Sequence, residues 1–188
     1  LRITFRFAAD QTRPQFDDPK GPNYTTVTAS NNAVLEYRYD PKGNIRPWDR
    51  TLYIKVVRGF MKKGDTITIK FGDKSGGSPG MRLQTFCEDT FEFRMLVDPI
   101  ATYNYQLLPK QPIIKLVPGP VERWVAVCPT SRRVGEVFRL SLKAEDKWGN
   151  PTHRANQKLR LRASEPINGL PDEINFPANE FAYHIDGL

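Results

Sequence analysis

Between Lys63 and Asp98 the chain reads KGDTITIKFGDKSGGSPGMRLQTFCEDTFEFRMLVD, two alternating runs around a glycine-rich stretch. Ile67, Ile69 and Phe71 take every second position of the first run, and Phe91, Phe93, Met95 and Val97 take those of the second. A period of two puts one set of side chains on one face of a half-buried strand. Gly72, Gly76, Gly77, Pro79 and Gly80 between them predict an irregular loop.

The same pattern predicts strands near Arg2–Ala8, Ala33–Tyr39, Leu52–Val57, Thr66–Phe71, Phe91–Val97 and Ile113–Val117. A second set is expected near Arg123–Cys128, Val137–Ala144, Lys158–Ala163 and Phe181–Ile185. Phe138, Leu140, Leu142 and Ala144 share one face, opposite Arg139, Ser141 and Lys143. One packed face and one wet face is the habit of antiparallel sheets. Helical periodicity is scarce, and only a single helical turn near Trp48–Thr51 is compatible with the pattern. The fold class expected is all-β: an antiparallel β-sandwich with a second, smaller immunoglobulin-like β region.

Pro118-Gly119-Pro120 stops any strand and forms a stiff turn, so it divides the chain into domains of residues 1–120 and 121–188. The second region is shorter than the roughly 100 residues of a complete sandwich. It is either incomplete or shares a sheet with the first. Within it Asp146, Trp148, Gly149, Asn150 and Pro151 predict a structural turn. Asp and Asn bond nearby backbone, Gly takes a positive φ, and Pro blocks the ladder.

Composition agrees with many short strands. The 188 residues include 16 Pro and 13 Gly, which suit turns and would break long helices. A hydrophobic share of 39% and a charged share of 26% belong to a folded globular chain rather than a disordered one. The net charge of +7 comes from single Arg and Lys residues on alternate strand positions, as in Leu159-Arg160-Leu161-Arg162. Without a dense basic run, these read as a solvated sheet face, and no nucleic-acid partner is expected. No run approaches the roughly 18 apolar residues of a membrane span.

Residues able to carry chemistry are few. His153 reads as a loop histidine, and His184 and Asp186, on one strand face, read as a hydrogen-bonded pair rather than half a metal site. Ser75 and Ser78 lack a GxSxG context, and their loop lacks GxGxxG and GxxxxGK[ST]. Asp17/Asp18, Glu88/Asp89, Glu145/Asp146 and Asp172/Glu173 fall in turns and read as solvated pairs. Trp48, Trp124 and Trp148 read as core and turn packing. Cys87 and Cys128 permit one disulfide but read as buried free thiols. Asn23-Tyr24-Thr25 is a glycosylation sequon that matters only in a secretory context. The loop offers two readings. It folds onto its own sheet, or Gly72, Gly76, Gly77, Ser78, Pro79 and Gly80, with Met81, Leu83 and Phe86 after them, form a domain interface.

The wording of GDTITIKFGDKSGGSPGMRLQTFCEDTFEFRMLVD, LVPGPVERWVAV, VGEVFRLSLKAEDKWGNPT and GLPDEINF resembles the N-terminal β-rich region of the carbaryl-hydrolase-related bacterial metallohydrolase family. The resemblance is clearest from about residue 50 onward. The AEDKWGNP segment alone is also similar to bacterial immunoglobulin-like domains. The family resemblance implies a catalytic metal centre in a following domain that opens with a histidine-rich Asp-Leu-His motif. Residues 1–188 contain no match to that motif, so no catalytic or metal-binding residue carries over, and no cofactor is expected in this chain. Both ends read as cut from something longer. The expected function is a non-catalytic β module that packs against the C-terminal catalytic domain of the same protein. The alternative is a stand-alone binding module for a glycan or a protein partner.

Overall fold

Alternation builds antiparallel pairs along the whole chain. The computed structural model describes residues Leu1 to Leu188 and contains fourteen strands and no helix. They are β1 (Arg2–Phe5), β2 (Thr25–Ala29), β3 (Val34–Asp40), β4 (Arg50–Arg58), β5 (Ile67–Phe71), β6 (Glu88–Glu92) and β7 (Arg94–Val97). There follow β8 (Gln106–Leu107), β9 (Ile113–Leu116), β10 (Arg123–Val127), β11 (Leu140–Glu145), β12 (Lys158–Arg160), β13 (Glu173–Asn175) and β14 (Ala182–Ile185). The chain is all-β with antiparallel strand pairing, and it has no helix long and apolar enough to cross a membrane.

Two units form. The first comprises Leu1–Thr85 and Thr90–Lys115, and the second Phe86–Asp89 and Leu116–Leu188. The division therefore falls at Lys115/Leu116 rather than at residue 120, and Pro118-Gly119-Pro120 lies inside the second unit. Phe86–Asp89 also joins that unit, because Cys87 N–H donates to the Asn150 side chain at 3.2 Å. β6 pairs with β9.

In the first unit a five-stranded sheet runs in the order β3-β4-β1-β7-β8, with β1 at its centre. Ile3 lies opposite both Leu52 and Met95, so one face collects Ile3, Phe5, Leu52, Ile54 and Met95. Ile3, Phe5, Leu52 and Ile54 are buried. Over this face β2 and β5 form a two-stranded ribbon, with Val27 opposite Ile69 and Thr25 opposite Phe71. Rings join the two sheets. Phe5 meets Phe71 edge-on at 5.8 Å and Phe93 at 5.6 Å, and Phe71 stacks on Phe93 at 5.9 Å. Phe91 adds a fourth ring, 5.3 Å from Phe93.

The second unit repeats this logic on a smaller scale. A three-stranded sheet, β10-β11-β14, sets Trp124 opposite Ala144 and Leu142 opposite Tyr183. Its apolar face, with the β12–β13 pair, encloses Leu142, Ala144, Ala155, Ile174 and Phe176. Phe176 meets the indole of Trp124 edge-on at 4.8 Å. Phe138 lies before β11 and exchanges backbone hydrogen bonds with Leu188 at 2.8 and 3.1 Å.

Several expectations need correction. Phe91–Val97 is two strands in different sheets: β6 pairs with β9, a pairing that Phe93 N–H extends by donating to Pro112 C=O at 2.9 Å, and β7 pairs with β1 and β8. β5 pairs with β2, a strand the pattern missed since TTVTA holds only one large apolar side chain. Residues 48–51 contain no helical turn. A hydrogen bond from Trp48 N–H to Ile45 C=O closes a turn just before β4 instead. The strand expected from Val137 begins only at Leu140, because a turn closed by Glu136 N–H to Arg133 C=O precedes it and leaves Val134 and Val137 exposed.

Phe5 is 1% exposed and touches two of the other three rings. Phe5→Ala is expected to destabilise the first unit by about 3–5 kcal/mol, the usual cost of removing a buried phenyl ring. Urea unfolding followed by tyrosine and tryptophan fluorescence measures it. A loss below 1 kcal/mol, roughly that of a single methylene, would show that the ring cluster does not hold the sheets together.

Candidate functional site

The Gly72–Gly80 loop is tied to the segment leading into β2. Asp73 N–H donates to Tyr24 C=O at 2.7 Å, and Asn23 N–H donates to Gly80 C=O at 2.8 Å. The Asp73 carboxylate accepts the Thr26 hydroxyl at 2.7 Å and the Ser75 amide at 3.0 Å. The Ser75 amide, then the Thr26 hydroxyl, hold the Asp73 carboxyl down at about 2. Gly72 has φ +67°, and a Cβ there would lie 2.4 Å from the Met81 backbone nitrogen, so the chain crosses itself too closely for a side chain. Ser78 is buried and caps Gly80 N–H at 3.1 Å. Gly76 and Met81 are half-buried, and Gly77 and Pro79 are exposed. Leu83 and Phe86 are exposed, and Phe86 belongs to the second unit rather than the first.

The Asp146–Pro151 turn is organised by one carboxylate. Asp146 accepts from Trp148 N–H at 2.8 Å, Asn150 N–H at 2.9 Å, Gly119 N–H at 3.0 Å and the Asn150 side-chain amide at 2.9 Å. Its own N–H donates to Asn150 C=O at 2.9 Å, and Gly149 N–H returns to Asp146 C=O at 3.0 Å. Gly149 has φ +86°, a conformation costly for any residue with a Cβ. Burial pushes the Asp146 carboxyl up, but the donors from Asn150, Gly119 and Trp148 outweigh it and hold the group below its ordinary value. Pro151 bridges to Glu145, and Trp148 lies outside, 53% exposed, beside Lys147.

Glu145 and Asp146 are therefore not the solvated pair expected: both are buried, at 4% and 3% exposed. Glu145 is covered by its cations, Lys143 at 2.6 Å and Arg123 at 2.5 Å, which hold its carboxyl below the ordinary range. His184 and Asp186 do not pair either. His184 Nδ1 meets the Ser141 hydroxyl at 2.8 Å, while Asp186 takes Arg139 at 2.5 Å, because each faces a different cross-strand partner. Cys87 and Cys128 are free but exposed, since both lie outside the apolar face of the second unit. In the sequon, Thr25 is fully buried and Asn23 Oδ1 accepts the Thr12 hydroxyl at 2.5 Å, so the acceptor amide is tied into the fold. No three His, Cys, Asp or Glu side chains are grouped to hold a metal ion.

One arrangement was invisible in the sequence. Strand register aligns Arg38 of β3, Tyr53 of β4 and Arg2 of β1 in one row on the face opposite the phenylalanines. The Arg38 guanidinium lies 4.3 Å from the Tyr53 ring centre, and that of Arg2 lies 5.1 Å from Tyr53 and 3.8 Å from Tyr105. Trp48 likewise takes two guanidiniums, Arg6 at 5.2 Å and Arg94 at 5.0 Å. The basic residues read as a plain solvated face are, on this sheet, stacked on rings. Alternation had placed them outward, but only the register pairs each arginine with its aromatic neighbour.

Comparison with protein families, with curated proteins and with solved structures finds no match for this chain.

Two outcomes follow from the Asp146 turn. Gly149→Val is expected to lower stability by at least about 1 kcal/mol through its positive φ; an unchanged melting midpoint would refute it. The depressed Asp146 carboxyl contributes stability above its ordinary value of 3.8 that is lost as pH falls through its lower folded value. Melting midpoints across acid pH should therefore fall less steeply for Asp146→Asn than for the parent chain. Parallel curves would remove Asp146 from the account.

Proposed function

We propose that this chain is a non-catalytic β module that packs against and supports a catalytic domain outside residues 1–188, in a metal-dependent hydrolase of the type its wording resembles. One observation carries the reading. Between Ile100 and Ile114 the first unit exposes Ile100 at 76%, Tyr103 at 83%, Leu107, Ile113 and Ile114 within fifteen residues of chain. Apolar exposure concentrated in this way is typical of surfaces that another protein part covers. The edge strand β8, two residues long and exposed, lies in the same segment. The loop Gly72–Gly80, with Met81 and Leu83, is the second element assigned to that contact, since its hydrogen bonds hold it in one shape ready to be met.

The finer architecture belongs to the same reading. We take the first unit as an antiparallel sandwich, supported by the ring cluster between the β3-β4-β1-β7-β8 sheet and the β2–β5 ribbon. The second unit is taken as an immunoglobulin-like region, supported by the β11 strand, its Asp146 turn and the apolar face of the β10-β11-β14 sheet.

The test begins with the reading frame that follows the codon for Leu188. A histidine-rich metallohydrolase segment is expected there. Hydrogen exchange on the whole encoded protein should then protect the amides of residues 100–114 more strongly than in the 188-residue chain. A frame that ends at Leu188, or identical exchange in both proteins, would overturn the supporting role.

A further inference from the structure

We propose that the ring-stacked arginine face of the five-stranded sheet binds a linear anionic polysaccharide, one bearing repeated carboxylate or sulfate groups. This goes beyond the supporting role and does not depend on it. Four strands contribute or flank the face, through Arg38, Tyr53, Arg2 and Tyr105 in sequence across the sheet. Neighbouring strands lie about 4.8 Å apart, so the β3 and β1 arginines repeat at roughly 10 Å. Arg6 and Arg94, both over the Trp48 ring, extend the cationic surface at the end of β1 and along β7. Lys55, opposite Glu36, adds a further ammonium. The carboxylates on this face are Glu36, Asp40 and the buried Asp49, which the register places opposite Arg6, and Asp40 pairs with Arg38 at 3.2 Å. Five cations against three carboxylates leave the face positive.

Stacking decides what such a face recognises. A guanidinium laid on a ring keeps its N–H edge outward, and that planar fork matches carboxylate and sulfate oxygens. The stack also holds the side chain still, so less rotamer freedom is lost when an anion arrives. The ring faces themselves are occupied: Tyr53 and Trp48 each carry two guanidiniums. Nucleic-acid bases and neutral sugars both need a free ring face for stacking, and these rings offer little of one. An acidic peptide would more naturally add to a sheet edge than lie across a sheet face. A repeating anion with no base to stack fits the arrangement best.

The experiment uses the full 188-residue chain and titrates polygalacturonate and dextran sulfate, with neutral dextran, oligothymidine and polyglutamate as rivals. Binding is read by calorimetry at about 0.1 M salt, where scattered surface charges are largely screened. At least one of the two anionic glycans is expected to bind more tightly than every rival. The exposed Arg38→Gln, combined with Arg94→Gln, should weaken that binding by about tenfold or more, the scale of lost charge-assisted contacts. Arg132→Gln with Arg133→Gln removes the same charge in the second unit and should change binding less than about twofold. Circular dichroism confirms that both double variants are folded. If the Arg38/Arg94 variant is not, Arg38→Lys replaces it, and a loss of at least about threefold is required because the charge remains but the fork is gone. Failure of both anionic glycans to bind, tighter binding to any rival, or equal losses in the two double variants would overturn the proposal.

Discussion

The contact on which the first unit depends is the meeting of Phe5, Phe71 and Phe93. These rings come from β1, from β5 and from the break between β6 and β7, so they join segments almost ninety residues apart in sequence. The five-stranded sheet gathers its large apolar side chains on one face, and a two-stranded ribbon cannot fold stably alone. Each therefore needs the other, and the rings are where they touch. Edge-on geometry adds to the area buried, since the positive rim of one ring meets the negative face of the next. The break at Phe93 follows from the same requirement. If β6 and β7 ran on as one flat strand, the chain could not both enter the sheet beside β1 and pair with β9.

The second unit solves its smaller burial problem with a polar hub as well as a core. Leu142, Ala144 and Phe176 supply an apolar centre of modest size. The Asp146 carboxylate then binds the turn after β11 to the Gly119 segment, while Thr152 returns a hydroxyl to Gly119 C=O at 2.9 Å. A buried carboxylate is costly unless every lone pair finds a donor. Here four donors converge, so the group organises backbone rather than seeking a proton or a metal. A buried acidic side chain would ordinarily invite a catalytic reading; its saturation by N–H groups of the turn and of Gly119 argues for a structural one.

Local patterning was legible because it is a property of neighbours in sequence. The alternation of Leu140, Leu142 and Ala144 with Ser141 and Lys143 identified the packed face of β11, and the positive-φ position at Gly149 followed from its turn. What depends on distant partners was not legible. β2 was missed because TTVTA holds only one large apolar side chain and its partner β5 lies about forty residues on. Cys87 and Cys128 read as buried because cysteines usually are, and nothing near them in sequence says otherwise. Glu145 and Asp146 read as solvated because adjacent turn carboxylates commonly are; their burial depends on Arg123 and Gly119 arriving from elsewhere in the sequence.

The arginine–aromatic face shows the same limit most clearly. Each of Arg2, Arg38, Tyr53 and Tyr105 sits at an unremarkable outward position, and only strand register turns them into a continuous stack. A one-residue slip in any of the pairings would turn those side chains to the other face. The ring cluster that fixes register on the phenylalanine side therefore also fixes the spacing of cations on the opposite side. Arg2 makes the dependence concrete: its Nε is buried without a hydrogen-bond partner, held between Tyr53 and Tyr105. Stacking offsets part of that cost, and a guanidinium tolerates it better than an ammonium would because its charge is delocalised and weakly hydrated. Substituting lysine at these positions would keep the charge but lose both the stack and the fork, so charge alone cannot account for the choice of arginine in the stack.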